Sequence, residues 1–216
     1  MRRTSRFRPR TWKIAAALIF ALAVVGPTLP ASASVTEVFR FVDQFAVAGF
    51  RSTDPTGCVE STVLLSAGRD IDHEPPGAPT RTSGAFLRIT QFDRCTSTFV
   101  FGSGFVSGVD YQSNPSVHEA RLSATVPVRF STPTGPMLVD VPVNMTWTGT
   151  GEVERFINPI HFQFPDLIVN AQFFGKTREA VATGTVLVGG TNVTPGLSVS
   201  AEITHDVGDE VRIELP

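Results

Sequence analysis

One stretch of the sequence decides the fold: ARLSATVPVRFSTPTGPMLVDVPVNMTW, residues 120–147. Apolar residues occupy every even position from 120 to 130 and every odd position from 137 to 147. A period of two places these side chains on one face of a strand, whereas a helix would scatter them around its circumference. The turn-forming residues STPTGP separate the two runs. The stretch therefore predicts two paired β-strands joined as a hairpin.

Two prolines interrupt this hairpin. Pro127 and Pro142 lie at its polar positions, and a proline cannot donate a hydrogen bond to a β-ladder. We therefore expect each proline at an edge, a bulge or an unpaired position, with the hairpin at the margin of a sheet. A sheet with such edges makes a sandwich slightly preferable to a closed barrel.

The same alternation predicts further strands along the chain, at residues 59–67, 85–89, 99–105, 167–173, 180–188, 197–203 and 211–215. Gly189-Gly190 and the sequence DVGD at 206–209 predict turns. Residues 35–47 have mixed parity and predict at most a helical turn. About ten short strands separated by turns predict an all-β protein, a single antiparallel β-sandwich or closed barrel.

The first 33 residues have the pattern of a secretory signal peptide. A basic head free of acidic residues precedes the apolar run IAAALIFALAVV, and Ala31-Ser32-Ala33 forms the small-x-small pattern that signal peptidase cuts. The apolar run is shorter than the roughly 20 residues that cross a bilayer. We expect cleavage after Ala33, a single domain at residues 34–216 and secretion into the medium. Arg2-Arg3 leaves twin-arginine export open as the minor route.

The charge of the mature chain narrows the class of partner. Removal of the leader leaves 12 basic against 20 acidic residues, a net charge of −8 with histidine neutral, and Lys176 is the only lysine that remains. Nucleic acids and anionic membranes bind basic surfaces, so we expect neither as a partner. The terminal sequence DEVRIELP has no apolar tail, and we expect no stable membrane anchor.

Cys58 and Cys95 are the only cysteines. In an exported protein an even pair is typical of a disulfide rather than of a nucleophile or a metal site. We therefore expect a Cys58–Cys95 disulfide that closes a long loop.

The segment RDIDHEPPG, residues 69–77, holds the densest group of potential ligands: Asp70, Asp72, His73 and Glu74. A cation site for calcium is one interpretation, since exported proteins often bind calcium through carboxylates. The order of acids and glycine in a calcium-binding loop is absent, however, and two prolines stiffen the segment. We favour a solvated acidic loop and assign no metal ligand.

No catalytic or cofactor motif stands out. The four histidines lack metal-binding spacing and are expected at the surface, and the glycines of GSGFVSG, residues 102–108, indicate a bent strand rather than a nucleophile elbow. Trp147 continues the apolar face of its strand, and the phenylalanines are expected in the core. We expect no cofactor and assign no catalytic residue. Glu60 and Asp93, near the disulfide, are the carboxylates that a hydrolase would use.

The ordered segments of this chain resemble a family of exported bacterial proteins of unknown activity that is common in actinobacteria. The resemblance spans most of the mature chain and is carried by CVEST, ITQFDRCT, LSATVPV, VNMTWTGTG, REAVATGTV and TNVTP. It implies secretion and an all-β domain, and it implies no ligand or catalytic residue.

Three functions remain open. The leading hypothesis is a non-catalytic exported domain that acts by surface recognition of an unknown protein or envelope component. The second is a barrel that carries a small apolar ligand between Phe-rich inner faces, and the third is a carboxylate-dependent hydrolase.

The leader gives the first testable prediction. Protein from the culture supernatant of the native host should begin at Ser34, because signal peptidase cuts after a small-x-small site. Intact-mass spectrometry reads this directly. A supernatant protein that still begins at Met1 would contradict the prediction.

Overall fold

The computed structural model describes residues 36–73 and 77–214, and this part of the chain is built from ten β-strands. The strands are β1 (Thr36–Thr53), β2 (Val59–His73), β3 (Thr80–Asp93), β4 (Thr98–Ser107), β5 (Asp110–Ser113), β6 (Glu119–Thr132), β7 (Gly135–Gln163), β8 (Leu167–Val188), β9 (Thr191–Asn192) and β10 (Ser200–Glu214). The all-β prediction is confirmed. None of the described segments forms a helix capable of crossing a membrane. The predicted leader lies outside the described residues.

All pairings are antiparallel, and the sheet closes on itself. Eight strands follow one another around a ring in the order β1, β2, β3, β4, β6, β7, β8 and β10, and β10 pairs with both β8 and β1. The short strand β5 adds to β6, and β9 forms a tight hairpin with β8. Closure of the ring leaves its eight strands with a neighbour on either side, which removes the open edges that favour aggregation.

The inner face of the ring carries the hydrophobic core. Alternate residues of each strand point inward there, among them Ala46, Leu65, Leu87, Leu122 and Val143, and all are nearly inaccessible to water. Trp147 is fully buried, as predicted, and its indole N–H donates to the carbonyl of Val47 at 2.9 Å. Small and branched residues fill this space, so the inner face at the core is packed by its own side chains.

The prediction that the proline hairpin lies at the margin of a sheet is wrong. β6 has β4 and β5 on one side and β7 on the other, and β7 also pairs with β8. Each proline nevertheless lies where a ladder stops. β4 pairs with β6 only at Phe101–Ser103, so Pro127 has a partner on β7 but none on β4. The β7–β8 ladder begins at Val143, one residue beyond Pro142.

Two other predictions are corrected. Residues 36–47 belong to β1, and the DVGD segment lies inside the continuous strand β10. β1 carries large apolar side chains on its outer face: Phe41 packs against Phe173 with ring centroids 4.8 Å apart, and its ring covers Gly208 of β10. Apolar groups on both faces hide the period of two in β1, whereas the aspartates and the glycine of DVGD are residue types that are typical of a turn.

The predicted disulfide between Cys58 and Cys95 is present, with Cα atoms 5.4 Å apart. It ties the turn after β1 to the turn between β3 and β4. Asp93 caps the second turn by accepting hydrogen bonds from the backbone N–H groups of Cys95 at 2.8 Å and Thr96 at 3.1 Å.

The disulfide gives the second prediction. Replacement of Cys58 and Cys95 by serine should lower the free energy of unfolding by about 3 kcal/mol, because the unfolded chain regains the freedom of a long loop. Urea denaturation of the double variant measures the loss, and reduced wild-type protein is the control that should show the same midpoint. Equal midpoints for the oxidised wild type and the variant would contradict it.

Candidate functional site

The segment predicted as an acidic loop is mostly strand. Residues 69–73 form the end of β2, and Glu74 lies outside the described residues. Asp70 and Asp72 are two residues apart and share the outer face, whereas His73 points to the inner face. Asp70, Asp72 and His73 therefore do not converge as the cation interpretation requires. The loop prediction is wrong for residues 69–73, because β1 continues far enough to pair with β2 up to His73.

Asp70 instead belongs to an acidic ladder across three strands. Its register partner on β1 is Asp43, whose partner on β10 is Asp206. The three carboxylates thus lie side by side on the outer face, about 5 Å from strand to strand. The Phe156 ring covers the adjacent Gly175, and one carboxylate oxygen of Asp206 is buried without a hydrogen-bond partner among the described residues.

Burial and mutual repulsion make these carboxyl groups hold protons. Desolvation, followed by the charges of Asp70 and Asp206, raises the pKa of Asp43 to about 7. Burial and the charge of Glu202 raise the pKa of Asp206 to about 6. Burial and Asp72 raise the pKa of Asp70. Near neutral pH the ladder therefore shares protons rather than carrying three full charges.

The two carboxylates proposed for hydrolysis do not face each other. Glu60 is opposite Phe92 in the ladder and Asp93 is opposite Val59, so the two acids point to opposite faces of the sheet. Glu60 bridges Arg51 and Arg94, and Asp93 caps its turn. Both groups have structural partners, and the arrangement does not form the shared cleft of a glycoside hydrolase.

Among the described His, Cys, Asp and Glu side chains, only Cys58, Asp93 and Cys95 bring three potential ligand atoms within 4.8 Å of one another. The two sulfur atoms are bonded to each other, so neither is a thiolate ligand. His118 and His161 are exposed, and His161 pairs with Asn170 at 2.7 Å. His205 departs from the surface prediction, since it lies on the inner face beside Gln44 at 3.1 Å.

The outer face of β3 and β4 is the main exposed apolar surface near the disulfide. It consists of two cross-strand pairs, Phe86 with Phe105 and Phe92 with Phe99. Between 38% and 58% of each of these side chains is exposed. Between the pairs, the guanidinium of Arg88 lies over the ring of Phe101, 5.1 Å from its centroid. We call these six residues the aromatic face.

The aromatic face contradicts the expectation that the phenylalanines fill the core. The odd positions of β4 carry its phenylalanines, while the inner positions at Gly102 and Gly104 have no side chain. Gly102 leaves room for the ring of Phe130 from β6. The sequence GSG, residues 102–104, could have indicated this orientation. Its glycines lie on one face of β4 and the phenylalanines on the other, and the face with the glycines is the inner one.

No protein-family model matches the chain, and no curated protein matches its sequence. The resemblance to exported actinobacterial proteins stays a prediction.

The acidic ladder gives the third prediction. The folded protein retains protons on Asp43 and Asp206 that the unfolded chain releases above pH of about 4, so the free energy of unfolding should fall as the pH rises from about 4 to about 7. Asp43→Asn removes one charge and keeps a donor for Asp70. It should be about 2 kcal/mol more stable than the wild type at pH 8 and nearly equal to it at pH 4.5.

Urea denaturation at the two pH values measures the effect. Asp140→Asn is the matched control, because Asp140 is exposed on β7, and it should change the stability by less than about 0.5 kcal/mol. If wild-type stability rose between pH 4.5 and pH 8, or if both variants behaved alike, the ladder would not hold protons as described.

Proposed function

We propose that the protein is a non-catalytic exported domain that acts by surface recognition through the aromatic face. The observation that carries the proposal is the exposure of four phenylalanines in two cross-strand pairs on a folded domain. Exposed apolar surface of this kind marks interaction sites, and aromatic side chains supply much of the energy of protein interfaces. The separate structural roles of Glu60 and Asp93 disfavour the hydrolase.

The partner that the aromatic face fits best is a second copy of the chain. Ile89 and Gly102 are opposite each other in the ladder, and the four phenylalanines lie three residues before and after these two positions. The two ends of the patch therefore carry the same pair of side chains at the same distance from its centre. A symmetric dimer brings the same patch of two copies face to face. Because both ends of the patch carry an aromatic pair, each aromatic pair of one copy would then meet an aromatic pair of the other.

The size of the aromatic face sets the strength of the interaction. The two pairs are six residues apart, about 20 Å along the strands, and the face is about 10 Å wide, or roughly 200 Å². A stable interface uses about 800 Å² from each partner. We therefore expect a weak dimer whose population rises with protein concentration.

A barrel that carries a small apolar ligand between Phe-rich inner faces is not favoured. It requires an apolar cavity lined by phenylalanine, but the inner positions at the core are occupied by packed side chains. Two concavities among the described residues, of about 450 and 570 Å³, are open grooves on the strands.

The double variant Phe99→Ser/Phe105→Ser tests the proposal and is the fourth prediction. Sedimentation equilibrium of the oxidised wild-type protein should show a monomer–dimer equilibrium, and the variant should remain monomeric at the same concentrations because it loses one ring of each aromatic pair. Phe162→Ser/Phe164→Ser is the matched control, since these two rings are 54% and 50% exposed at the far end of the sheet.

The control variant should dimerise as the wild type does, and urea denaturation should show that both variants remain folded. A wild type that is monomeric throughout the concentration range contradicts the dimer. Equal loss of dimer in both double variants would show that the aromatic face is not the specific surface.

A further inference from the structure

A row of polar residues crosses the inner face next to the hydrophobic core. Each of six neighbouring strands contributes one residue, and each residue is the register partner of the next: Arg155, Lys176, His205, Gln44, Arg69 and Ser83. We call this row the basic belt. Three of its members are permanent cations and one is a histidine. The belt contains no carboxylate, although the mature chain as a whole is acidic.

Carboxylates of the described residues do not neutralise the charges of the belt. In the described part of the chain, Arg69, Arg155 and Lys176 have no carboxylate within 4 Å. The acidic ladder lies on the opposite face of the same strands, because Asp70 and Arg69 are adjacent in sequence and point in opposite directions. Burial, followed by the charge of Lys176, lowers the pKa of His205.

Buried donors at the belt lack partners. Tyr111 of β5 is 3% exposed, and its hydroxyl group has no hydrogen-bond partner among the described residues. The hydroxyl of Ser113 and the Nε of Arg69 are also buried without a hydrogen-bond partner among the described residues. Gln44 is 4% exposed and accepts a hydrogen bond of 2.6 Å from Nη2 of Arg69. An unpaired buried donor costs about 1–3 kcal/mol, so this arrangement is poised to donate to an acceptor from outside.

Apolar side chains line the inner face on the side of the belt away from the core. The next row of register partners is Ile157, Phe174, Val207, Val42 and Ile71. Between 43% and 64% of Ile157, Phe174 and Val207 is exposed. Further along the same strands is an open groove of about 570 Å³, whose lining combines apolar residues such as Pro159 and Val211 with the polar residues His161 and Asp209. The distance from His205 to this groove is about 13–20 Å along β10.

From this order of rows we propose that the inner face binds an anionic amphiphile of the fatty-acid class. Its carboxylate accepts hydrogen bonds from Arg69 and Lys176 of the basic belt, and its hydrocarbon chain covers the apolar row and points into the groove. A carboxylate supplies the acceptors and the negative charge that the belt lacks, and the chain buries apolar surface that is otherwise exposed to water. The site is non-catalytic and lies on the face opposite the aromatic face, so the two proposals are tested independently.

Titration calorimetry of the oxidised protein with three probes tests the site. Laurate carries both the charge and the chain, dodecanol carries the chain alone, and acetate carries the charge alone. Laurate should bind with one molecule per chain, and dodecanol and acetate should each bind at least about tenfold more weakly. Equal binding of laurate and dodecanol would overturn the role of the belt, and equal binding of laurate and acetate would overturn the role of the apolar row.

Substitutions in the belt provide the fifth prediction. Arg69→Met and Lys176→Met remove one charge each and keep an unbranched side chain. Each should weaken laurate binding at least about tenfold through the loss of a charge-assisted hydrogen bond. Lys176→Met should not lower the stability of the free protein, because it removes an unneutralised cation from a row of like charges, whereas Arg69→Met also removes the hydrogen bond to Gln44. Arg129→Met, an exposed cation on the outer face of β6, is the control and should bind laurate as the wild type does.

Arg69→Met also removes the hydrogen bond to Gln44 and could perturb the fold there. Lys176→Met removes a charge without breaking that hydrogen bond, so it tests the belt by itself. No detectable laurate binding by the wild type would overturn the proposal. Laurate binding that is unchanged in the folded Lys176→Met variant would also overturn it, since the belt would then contribute nothing. Loss of binding in all three variants, including Arg129→Met, would show a non-specific charge effect and would count against the site.

Discussion

The ladder between β8 and β10 is the interaction on which the rest of the structure depends. It joins the last strand to the far side of the sheet and turns a chain of hairpins into a closed ring. Closure gives the sheet an inner and an outer face. It also fixes which residues of distant segments become neighbours, because a shift of one residue in an antiparallel ladder exchanges the two faces.

The long strands use their two faces for different purposes. At the core, the inner face is apolar and packed. Beyond the core, the same inner face carries the basic belt, and the outer face carries the acidic ladder. Gln44, Arg69 and His205 of the belt directly adjoin Asp43, Asp70 and Asp206 of the ladder in sequence. Alternation along each strand therefore separates charges of opposite sign onto opposite faces, which leaves the cations of the belt free to meet an outside anion.

The sequence reveals those parts of the fold that are set by local alternation. The hairpin of β6 and β7, the burial of Trp147 and the disulfide could all be predicted, since each follows from residue type and a period of two. β1 could not, because phenylalanines such as Phe41 make both of its faces apolar. The middle of β10 could not, because DVGD has the residue types of a turn. The exposed phenylalanines of β4 were misassigned to the core, since the two faces of that strand differ only by the glycines opposite them.

The basic belt left a weak signal in the sequence. Arg69 follows Val63, Leu65 and Ala67 at the apolar parity of β2, and His205 follows Ile203 in the same way. A polar residue that continues an apolar parity indicates an inward-facing group beyond the core. The assembly of these residues into one row was not predictable, because it depends on register between segments more than 100 residues apart, such as Gln44 and His205.

The register of β8 against β10 is therefore the quantity to measure, since both the basic belt and the acidic ladder depend on it. Cross-strand proton–proton contacts in the nuclear Overhauser spectrum of the isotopically labelled, oxidised protein would report it. We expect contacts that place Lys176 opposite His205 and Phe174 opposite Val207. A register in which Lys176 is opposite Asp206 would place the lysine and the aspartate on one face, pair their charges and contradict both the basic belt and the acidic ladder.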